Sequence, residues 1–302
     1  SSDLYIFKMN KKFVFVYCND ISPIEDYVNS LGIFDKIIEI NNFIIPKFFN
    51  SKHIYVFGQM WFPLESVPSK IYNSKRFYFL NVEHLTESNR FNHITNLIKH
   101  NIKIIDYSII NVSILDDFIK HKYPKYPYKI LYIPYQFNLN ENNILHSNKF
   151  KYDVGIINAV VKKDPSVHSD LTYRRNKIWK DLQETDLKIL NIVGWGKERD
   201  KLISQCKIIL NIHHFESFRI FEHVRCDRLL FANKIIISDN SLCHDKLDIN
   251  HLVIWEDFDE IIKTVKNVIN NFDFYYDNIQ LIDKNSIINN RKSYLNYILS
   301  LI

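Results

Sequence analysis

Short apolar runs alternate with amphipathic segments along this 302-residue chain, and no other feature restricts its fold as strongly. The runs before residue 136 have the length and composition of strands. We predict strands over Phe13–Cys18, Ile37–Ile40, His53–Phe57, Phe77–Leu80, Ile102–Asp106 and Ile130–Ile133. We predict helices between them over Ile24–Leu31, Asn89–His100 and Ile109–Lys120. Continuous apolar strands joined by helices indicate a parallel sheet that is covered on both faces.

The same alternation starts again after residue 150. The predicted strands there are Tyr152–Ile157, Leu187–Val193, Lys207–Ile212, Lys234–Ser238 and His251–Trp255. The predicted helices are Tyr173–Leu182, Glu198–Gln205, Ser217–Ala232, Asp257–Asn271 and Ser286–Ile302. Between the two series, residues 136–149 are polar and rich in Asn and show no periodicity, which is the composition of a linker.

The length and the repeated alternation together predict two domains, because a chain of this size exceeds the usual limit of a single hydrophobic core. We therefore predict an α/β fold of two Rossmann-like domains, over residues 1–140 and 150–285, whose parallel sheets face each other across a cleft. The last segment, 286–302, is predicted to be a helix that packs back towards the first domain.

Charge and cysteine content restrict the function. The chain has 39 Lys and Arg against 34 Asp and Glu, and this excess of +5 is scattered, so a nucleic-acid partner is not expected. The four cysteines show no short spacing, which disfavours both zinc sites and disulfides. No apolar run is long enough to span a membrane, and the N-terminus lacks a signal-peptide pattern. We expect a cytoplasmic protein without a transmembrane segment, and its oligomeric state stays open.

One segment, 208–225, combines a buried strand, a polar loop and a charged helix. A strand that ends where a helix begins brings free backbone N–H groups and a positive helix end to one point, which is how α/β proteins hold phosphates. Ser217 is a suitable N-cap, and Arg219, Glu222 and Arg225 follow at intervals of three. Arg219 could neutralise a diphosphate, while Glu222 could accept the hydroxyls of a ribose. The alternative is an Arg–Glu–Arg ladder on a solvated helix face.

A second candidate lies after the strand that ends before Asn158. Arg174 and Arg175 follow at the start of a helix, where cations are unfavourable unless an anion lies beside them. The alternative is a pair of exposed arginines that bind Asp170 or Asp181.

The tripeptide Gly194-Trp195-Gly196 follows another predicted strand and contains two of the five glycines in the chain. This concentration predicts a place where the backbone approaches a ligand closely, and Trp195 could pack on a base. The alternative is an ordinary tight turn with a buried Trp.

In the first half of the chain, Asn81 to His84 follow the strand Phe77–Leu80. This loop should open on the carboxyl edge of its sheet, where ligands of α/β proteins bind. Glu83 or His84 could act there as a general base on a hydroxyl. The alternative is a polar loop whose hydrogen bonds are structural.

These segments together resemble a known family. The run KIILNIHHFESFRIFEHVRCDRLLFANKIIISD, with YDVGIINA, RRNKIW and VGWGKERDKLISQ before it, resembles the C-terminal half of GT-B glycosyltransferases, which have two facing Rossmann-like domains. In the first half, FYFLNVEHL is similar to a Tyr-x-x-x-Glu-Gln loop of the same group, with His84 in place of Gln. Glu216 and Glu222 lie closer together here than the glutamate pair of many retaining enzymes, and no glycine separates them.

The resemblance implies that residues 1–140 form the acceptor side and that residues 150–285 bind a nucleotide-diphosphate sugar. The implied donor-binding residues are Asn158, Arg174, Arg175, Trp195, Gly196, His213, Ser217, Phe218, Arg219, Glu222 and Arg225. The implied catalytic residues are Glu83, His84 and Glu216.

The activity that follows from the resemblance is transfer of a hexosyl-type sugar to a hydroxyl of a glycan or small acceptor, without a metal ion. Two alternatives stay open: a nucleotide-sugar epimerase of the GT-B fold, and a non-catalytic module that binds nucleotides or glycans. The identities of base, sugar and acceptor stay open, as does the stereochemical outcome.

Overall fold

The structure is a computed structural model that describes residues 12–18, 20–39, 53–58, 76–86, 88–137, 149–157, 173–217 and 219–302. Within these residues the chain forms two parallel sheets with helices between their strands, so the predicted α/β class is confirmed. We call residues 12–137 the first half and residues 149–302 the second half. Most of the predicted linker, residues 138–148, lies outside the described residues.

The first half contains one sheet. Its strands are β1 (Lys12–Tyr17), β2 (Phe34–Glu39), β3 (His53–Gly58), β4 (Phe77–Asn81), β5 (Lys103–Asp106) and β6 (Leu131–Tyr132). Its helices are α1 (Glu25–Leu31), α2 (Ser88–Lys99) and α3 (Ile109–Lys122). The described strands form a six-stranded sheet in the order β2-β1-β3-β4-β5-β6, and neighbouring strands are parallel.

The second half repeats this plan. Its strands are β7 (Tyr152–Ile157), β8 (Ile189–Ile192), β9 (Cys206–Asn211), β10 (Ile235–Asp239) and β11 (Val253–Glu256). Its helices are α4 (Tyr173–Gln183), α5 (Gly196–Ser204), α6 (His223–Phe231), α7 (Ile261–Asn270), α8 (Phe272–Leu281) and α9 (Asn285–Leu301). Among the described residues they form a five-stranded parallel sheet in the order β11-β10-β9-β7-β8.

Position in the sheet explains the sequence pattern of each strand. Every residue of β4, β5 and β10 is buried, since these strands have a neighbour on each side and helices on their faces. The residues of the edge strand β2 are all exposed or half-buried. In β7, Gly155 is required by packing, because a Cβ there would lie 2.6 Å from Ile192 Cδ1 and 2.8 Å from Cys206 Sγ.

The helices differ from the predictions in two places. The charged helix α6 begins at His223 rather than Ser217, and Glu222 is its N-cap residue, without a side-chain capping bond. The two residues before Glu222, Ile220 and Phe221, are buried in the core as part of a loop. The helix α8, which lies between α7 and α9, was not predicted at all.

The two halves share one apolar cluster, which includes Tyr27 and Ile133 from the first half and Ile209 and Phe221 from the second. A charged contact also joins them. Asp26 in α1 accepts hydrogen bonds from Arg199 of α5 and Arg228 of α6, and Arg228 also binds Asp200 through two bonds of 2.9 and 2.6 Å.

The last helix, α9, contacts both halves. Arg291 Nη1 donates to the carbonyl of Tyr135 at 3.0 Å and to Asp227 at 2.7 Å, while Nε and Nη2 bind the two oxygens of Asp248. The side-chain amide of Gln136 donates to the carbonyl of Arg291 at 3.5 Å. The carboxyl-terminal helix therefore lies against the end of the first half.

Candidate functional site

The strand order of each sheet defines where a ligand can bind. In the second sheet, β7 is followed by β8 on one side, and the chain then crosses to β9 on the other side. Connections that leave in opposite directions open a crevice at the carboxyl ends of the two strands, and α/β proteins bind ligands there. The crevice of the second sheet lies between the ends of β7 and β9, which are Ile157 and Asn211.

Arg175 lies at this crevice. Its side chain is 2% exposed, and its Nε donates to the carbonyl of Ile212, directly after β9, at 2.7 Å. Its Nη2 is buried without a hydrogen-bond partner within the described residues. Burial and the neighbouring Arg225 guanidinium lower the pKa of Arg175 to about 9, and Glu222 opposes them. A buried, incompletely paired cation has much to gain from an anionic ligand.

Glu222 and Arg225 lie beside Arg175. Arg225 Nη2 is 3.7 Å from Glu222 Oε1, and its Nη1 donates to Asn211 Oδ1 at 3.3 Å. Burial alone would raise the pKa of the Glu222 carboxyl, but Arg225, His84 and Arg175 lower it well below its usual range. The group is therefore a carboxylate at neutral pH.

His84 reaches Glu222 from the other half of the molecule, with Nε2 at 3.2 Å from Glu222 Oε1. The loop that carries His84 is held by Asn111, whose side chain donates to the carbonyl of Glu83 at 2.8 Å and accepts from the N–H of Leu85 at 3.1 Å. The carboxyl ends of both sheets therefore meet at this pair, which is the cleft geometry that the fold predicts.

A buried carboxylate supports this loop from below. Asp106, the last residue of β5, accepts from Asn81 Nδ2 at 2.7 Å, from Asn111 Nδ2 at 3.0 Å and from the N–H of Ser108 at 2.8 Å. Burial raises the pKa of Asp106 to about 7, although these hydrogen bonds lower it. The network joins β4, β5 and α3 beneath His84.

Two residues of the first half were not predicted to belong to the site. Arg90, on α2, forms an ion pair with Glu83. Burial lowers the pKa of Arg90, while Glu222 and Tyr107 raise it. Tyr107 follows directly after β5, and the rule that selected the loop after β4 applies equally to this position. Arg90 gave no sequence signal, since nothing in its helix distinguishes it from a surface arginine.

Arg174 is placed differently from its neighbour Arg175. Its Nη2 donates to Asp239 Oδ2 at 2.6 Å, and its guanidinium lies 3.8 Å from the ring centroid of Phe258. Asp239 also binds His213, through the N–H at 3.0 Å and through Nδ1 at 2.7 Å, and His213 Nε2 lies 3.1 Å from Ser241 Oγ.

Asp239, His213 and Ser241 have the residue types of a hydrolase triad, and all three are buried. These hydrogen bonds hold the residues that follow β9 and β10 in place. One of those residues is Ile212, whose carbonyl accepts the hydrogen bond from Arg175. The predicted donor-binding roles of Arg174 and His213 stay predictions.

The predicted anion loop before α6 is exposed. Glu216, Ser217 and Arg219 all lie on the surface, and the structure brings none of them into the pair of Glu222 and Arg225. The helix begins at His223, so no helix starts at Ser217. The predicted phosphate site, which required a helix start near Ser217, therefore has the wrong geometry. Phe218 and Asn158, the other two candidates, lie outside the described residues.

The glycines around Trp195 have a conformational explanation. Gly194 and Gly196 have φ values of 91° and 59°, and no atom lies within 4 Å of a Cβ built at either. Positive φ values favour glycine at both positions, and the predicted close approach of a ligand to this backbone stays a prediction. Trp195 is 41% exposed rather than buried, and the Arg199 guanidinium lies 5.7 Å from its ring centroid.

Two features are absent from the described residues. No three His, Cys, Asp or Glu side chains in that part of the chain are grouped so that they could hold a metal ion. None of its helices has the length and apolar character needed to cross a membrane.

Comparison with known proteins gives sequence relatives from Acanthamoeba polyphaga mimivirus. "Uncharacterized protein L140" is 29% identical over 82% of this chain and 77% of its own length. "Uncharacterized protein L137" is 30% identical over 84% of this chain, and "Uncharacterized protein L138" is 30% identical over 78%. This chain spans only 33% and 24% of the lengths of the last two. No protein-family model matches the chain.

Among solved structures, the chain is similar to a UDP-N-acetylglucosamine 2-epimerase. The match covers 90% of this chain and 91% of the epimerase, with 8% sequence identity and a TM-score of 0.34. The name of this neighbour corresponds to one of the alternatives given above.

Proposed function

We propose that this chain binds a nucleotide-diphosphate sugar in the cleft and transfers the sugar to an acceptor hydroxyl, as a metal-independent glycosyltransferase. The observation that carries the proposal is Arg175, a buried guanidinium with an unpaired Nη2 at the crevice between β7 and β9. A diphosphate oxygen is the group that would satisfy this donor, because arginine binds phosphate through its fork of N–H groups.

The charges around Arg175 favour the same ligand. Arg225 lies near enough to Arg175 to lower its pKa, while Glu222 and Asp239 raise it. These two carboxylates do not balance the three guanidinium groups of Arg174, Arg175 and Arg225. A diphosphate would restore this balance. Arg175 and Arg225 would then stabilise the negative charge that develops on the leaving group, which is the task that the proposal gives to the protein instead of a metal ion.

His84 is the best candidate for the general base. A histidine that is paired with a carboxylate is held in one orientation, and Glu222 supplies that carboxylate across the cleft. In the proposed step, the acceptor oxygen forms a bond to the anomeric carbon while the bond from that carbon to the diphosphate breaks. The electron pair leaves with the diphosphate, and the proton of the acceptor hydroxyl passes to His84.

A nucleotide-sugar epimerase is the second candidate. The observation that favours it is the similarity to the UDP-N-acetylglucosamine 2-epimerase structure. An epimerase would use the same diphosphate site and would need no acceptor. Both candidates belong to one coarser proposal, an enzyme that processes a nucleotide-diphosphate sugar.

A nucleotide screen tests the coarser proposal. Thermal unfolding is measured with UDP, GDP, dTDP and CMP, and a ligand at 100 times its Kd should stabilise the protein by about 2.7 kcal/mol. The matched control is Arg175→Lys, which keeps the charge but loses the planar fork and should give a smaller shift. Absence of a shift with every nucleotide would overturn the proposal.

A turnover assay then separates the candidates. The nucleotide-sugar form of the nucleotide that binds is incubated with the protein, with and without a panel of hydroxyl acceptors. Release of free nucleotide that increases with an acceptor is expected for the transferase. Interconverted sugar-nucleotide without release would assign the epimerase instead, and binding with neither product would assign a non-catalytic module.

A further inference from the structure

Tyr107 carries a buried hydroxyl that the fold does not use. The residue follows directly after β5 at the carboxyl edge of the first sheet and is 1% exposed. Its Oη is buried and has no hydrogen-bond partner within the described part of the chain. Leaving a buried hydroxyl unpaired costs free energy, and a phenylalanine would fill the same space without that cost. An unpaired tyrosine at this edge therefore indicates a partner that arrives from outside the chain.

The surroundings of Tyr107 belong to both halves of the molecule. Its ring meets the ring of His223 edge-on, with centroids 6.1 Å apart and an interplanar angle of 77°. Burial raises the pKa of Tyr107 well above its usual value, and Glu222 and Asp106 raise it further, while Arg90 and Arg225 oppose them. The hydroxyl therefore keeps its proton at neutral pH and is a hydrogen-bond donor.

The second unpaired donor near this position is Arg175 Nη2, on the opposite side of the cleft. The ring of Tyr107 meets that of His223, the residue directly after Glu222, and Glu222 lies 3.7 Å from Arg225. Arg225 in turn donates to Asn211, and Arg175 donates to the carbonyl of the next residue, Ile212. One donor comes from each half of the molecule, and neither has a protein acceptor among the described residues. An oxyanion between them would satisfy both donors at once.

We propose that Tyr107 is a ligand-binding residue, whose hydroxyl donates to an oxygen of the same diphosphate that Arg175 binds. This inference rests on the proposed nucleotide-diphosphate site and adds to it that the first half also holds the leaving group. The diphosphate would then be held by both halves of the molecule at once.

The substitution Tyr107→Phe tests this proposal because it removes only the oxygen. The probe is the nucleoside diphosphate (UDP, GDP or dTDP) that gives the largest thermal shift with the wild type. Its Kd should rise about tenfold in the variant, the loss expected for one hydrogen bond to a charged group. The Tm without ligand should stay unchanged or rise, because the Tyr107 hydroxyl forms no hydrogen bond in the folded protein that the substitution could remove.

The matched control is Tyr27→Phe. Tyr27 is 0% exposed, and its hydroxyl donates to the carbonyl of Ile133, so this variant should lower the Tm and leave the Kd unchanged. An unchanged Kd in Tyr107→Phe, while the wild type binds the nucleotide, would overturn the role of Tyr107 alone. If the wild type binds no nucleoside diphosphate, the proposed function is overturned and this inference with it.

A double variant tests whether the two donors bind the same group. If Tyr107 and Arg175 hold one diphosphate, the effects of Tyr107→Phe and Arg175→Lys on Kd should not be additive. Strictly additive effects would contradict a shared oxyanion and would place the two residues on separate parts of the ligand.

Discussion

His84 and Glu222 lie on different halves of the molecule, and His84 Nε2 is 3.2 Å from Glu222 Oε1. The histidine follows β4 of the first sheet, and the glutamate is the N-cap residue of α6 in the second. The pair therefore forms only when the carboxyl edges of the two sheets meet. It also gives the glutamate a second possible role, because a carboxylate that holds a histidine can orient a general base as well as bind a ribose.

The variant Glu222→Gln separates these two roles. If Glu222 orients His84, kcat should fall roughly 10- to 100-fold while the donor KM changes little. The measurement is steady-state transfer, with Glu260→Gln as the control, since the Glu260 side chain is 51% exposed. A strong rise in donor KM with an unchanged kcat would assign Glu222 to the ribose.

The neighbouring arginines of α4 should behave differently when each is replaced by lysine. Arg175→Lys should raise the Kd for a nucleoside diphosphate at least tenfold, because the unpaired Nη2 is lost. Arg174→Lys should instead lower the Tm, since it breaks the 2.6 Å bond to Asp239 and the stacking on Phe258. Calorimetric titration and thermal unfolding measure the two quantities. Equal effects of both variants on Kd would show that Arg174 also binds the ligand.

The sequence predicted the strands and the position of the cleft because both depend on local pattern. Strands buried on both faces, such as β4 and β10, are continuous apolar runs, and polar residues begin where they end. The rule that ligands bind at carboxyl edges then selected His84 and the region of Glu222 without knowledge of the tertiary structure.

The start of α6 could not be predicted from local pattern. Ser217 has the residue type of an N-cap, but Ile220 and Phe221 are buried by contacts that the local sequence does not encode. Phe221 packs against Trp255, with ring centroids 5.1 Å apart, and Trp255 belongs to β11. Long-range packing therefore decides where this helix begins, and it also decides which arginines lie in the cleft.

The buried carboxylate of Asp106 predicts a pH dependence of stability. Its pKa is about 7 in the folded protein against 3.8 as the ordinary value, so folding favours the protonated form. The associated stability is fully present below about pH 4 and is lost as the pH rises to about 7, a total of about 4 kcal/mol. Above that range Asp106 contributes no further change.

Urea unfolding at about pH 5 and about pH 8 measures this dependence in the wild type and in Asp106→Asn. The variant has no titrating group there, so its free energy of unfolding should fall less between the two pH values. The asparagine should also be less stable at both, because its N–H₂ replaces an oxygen that accepts from Asn81 or Asn111. Identical changes with pH in the two proteins would show that Asp106 is already ionised at the lower value.

One residue of the carboxyl-terminal helix joins the two halves through buried charges. Arg291 is 3% exposed and binds Asp227, Asp248 and the carbonyl of Tyr135, which belongs to the first half. Arg291→Met would keep the apolar stem but leave the buried Asp227 with His223 as its remaining side-chain partner among the described residues. Removing one member of a buried ion pair costs about 3–5 kcal/mol, so the urea midpoint should fall strongly.

Lys292→Met, at the exposed neighbouring position, is the control and should change stability by less than about 0.5 kcal/mol. A loss in Arg291→Met as small as in this control would mean that the two halves are held together by the shared apolar cluster without the help of this ion pair.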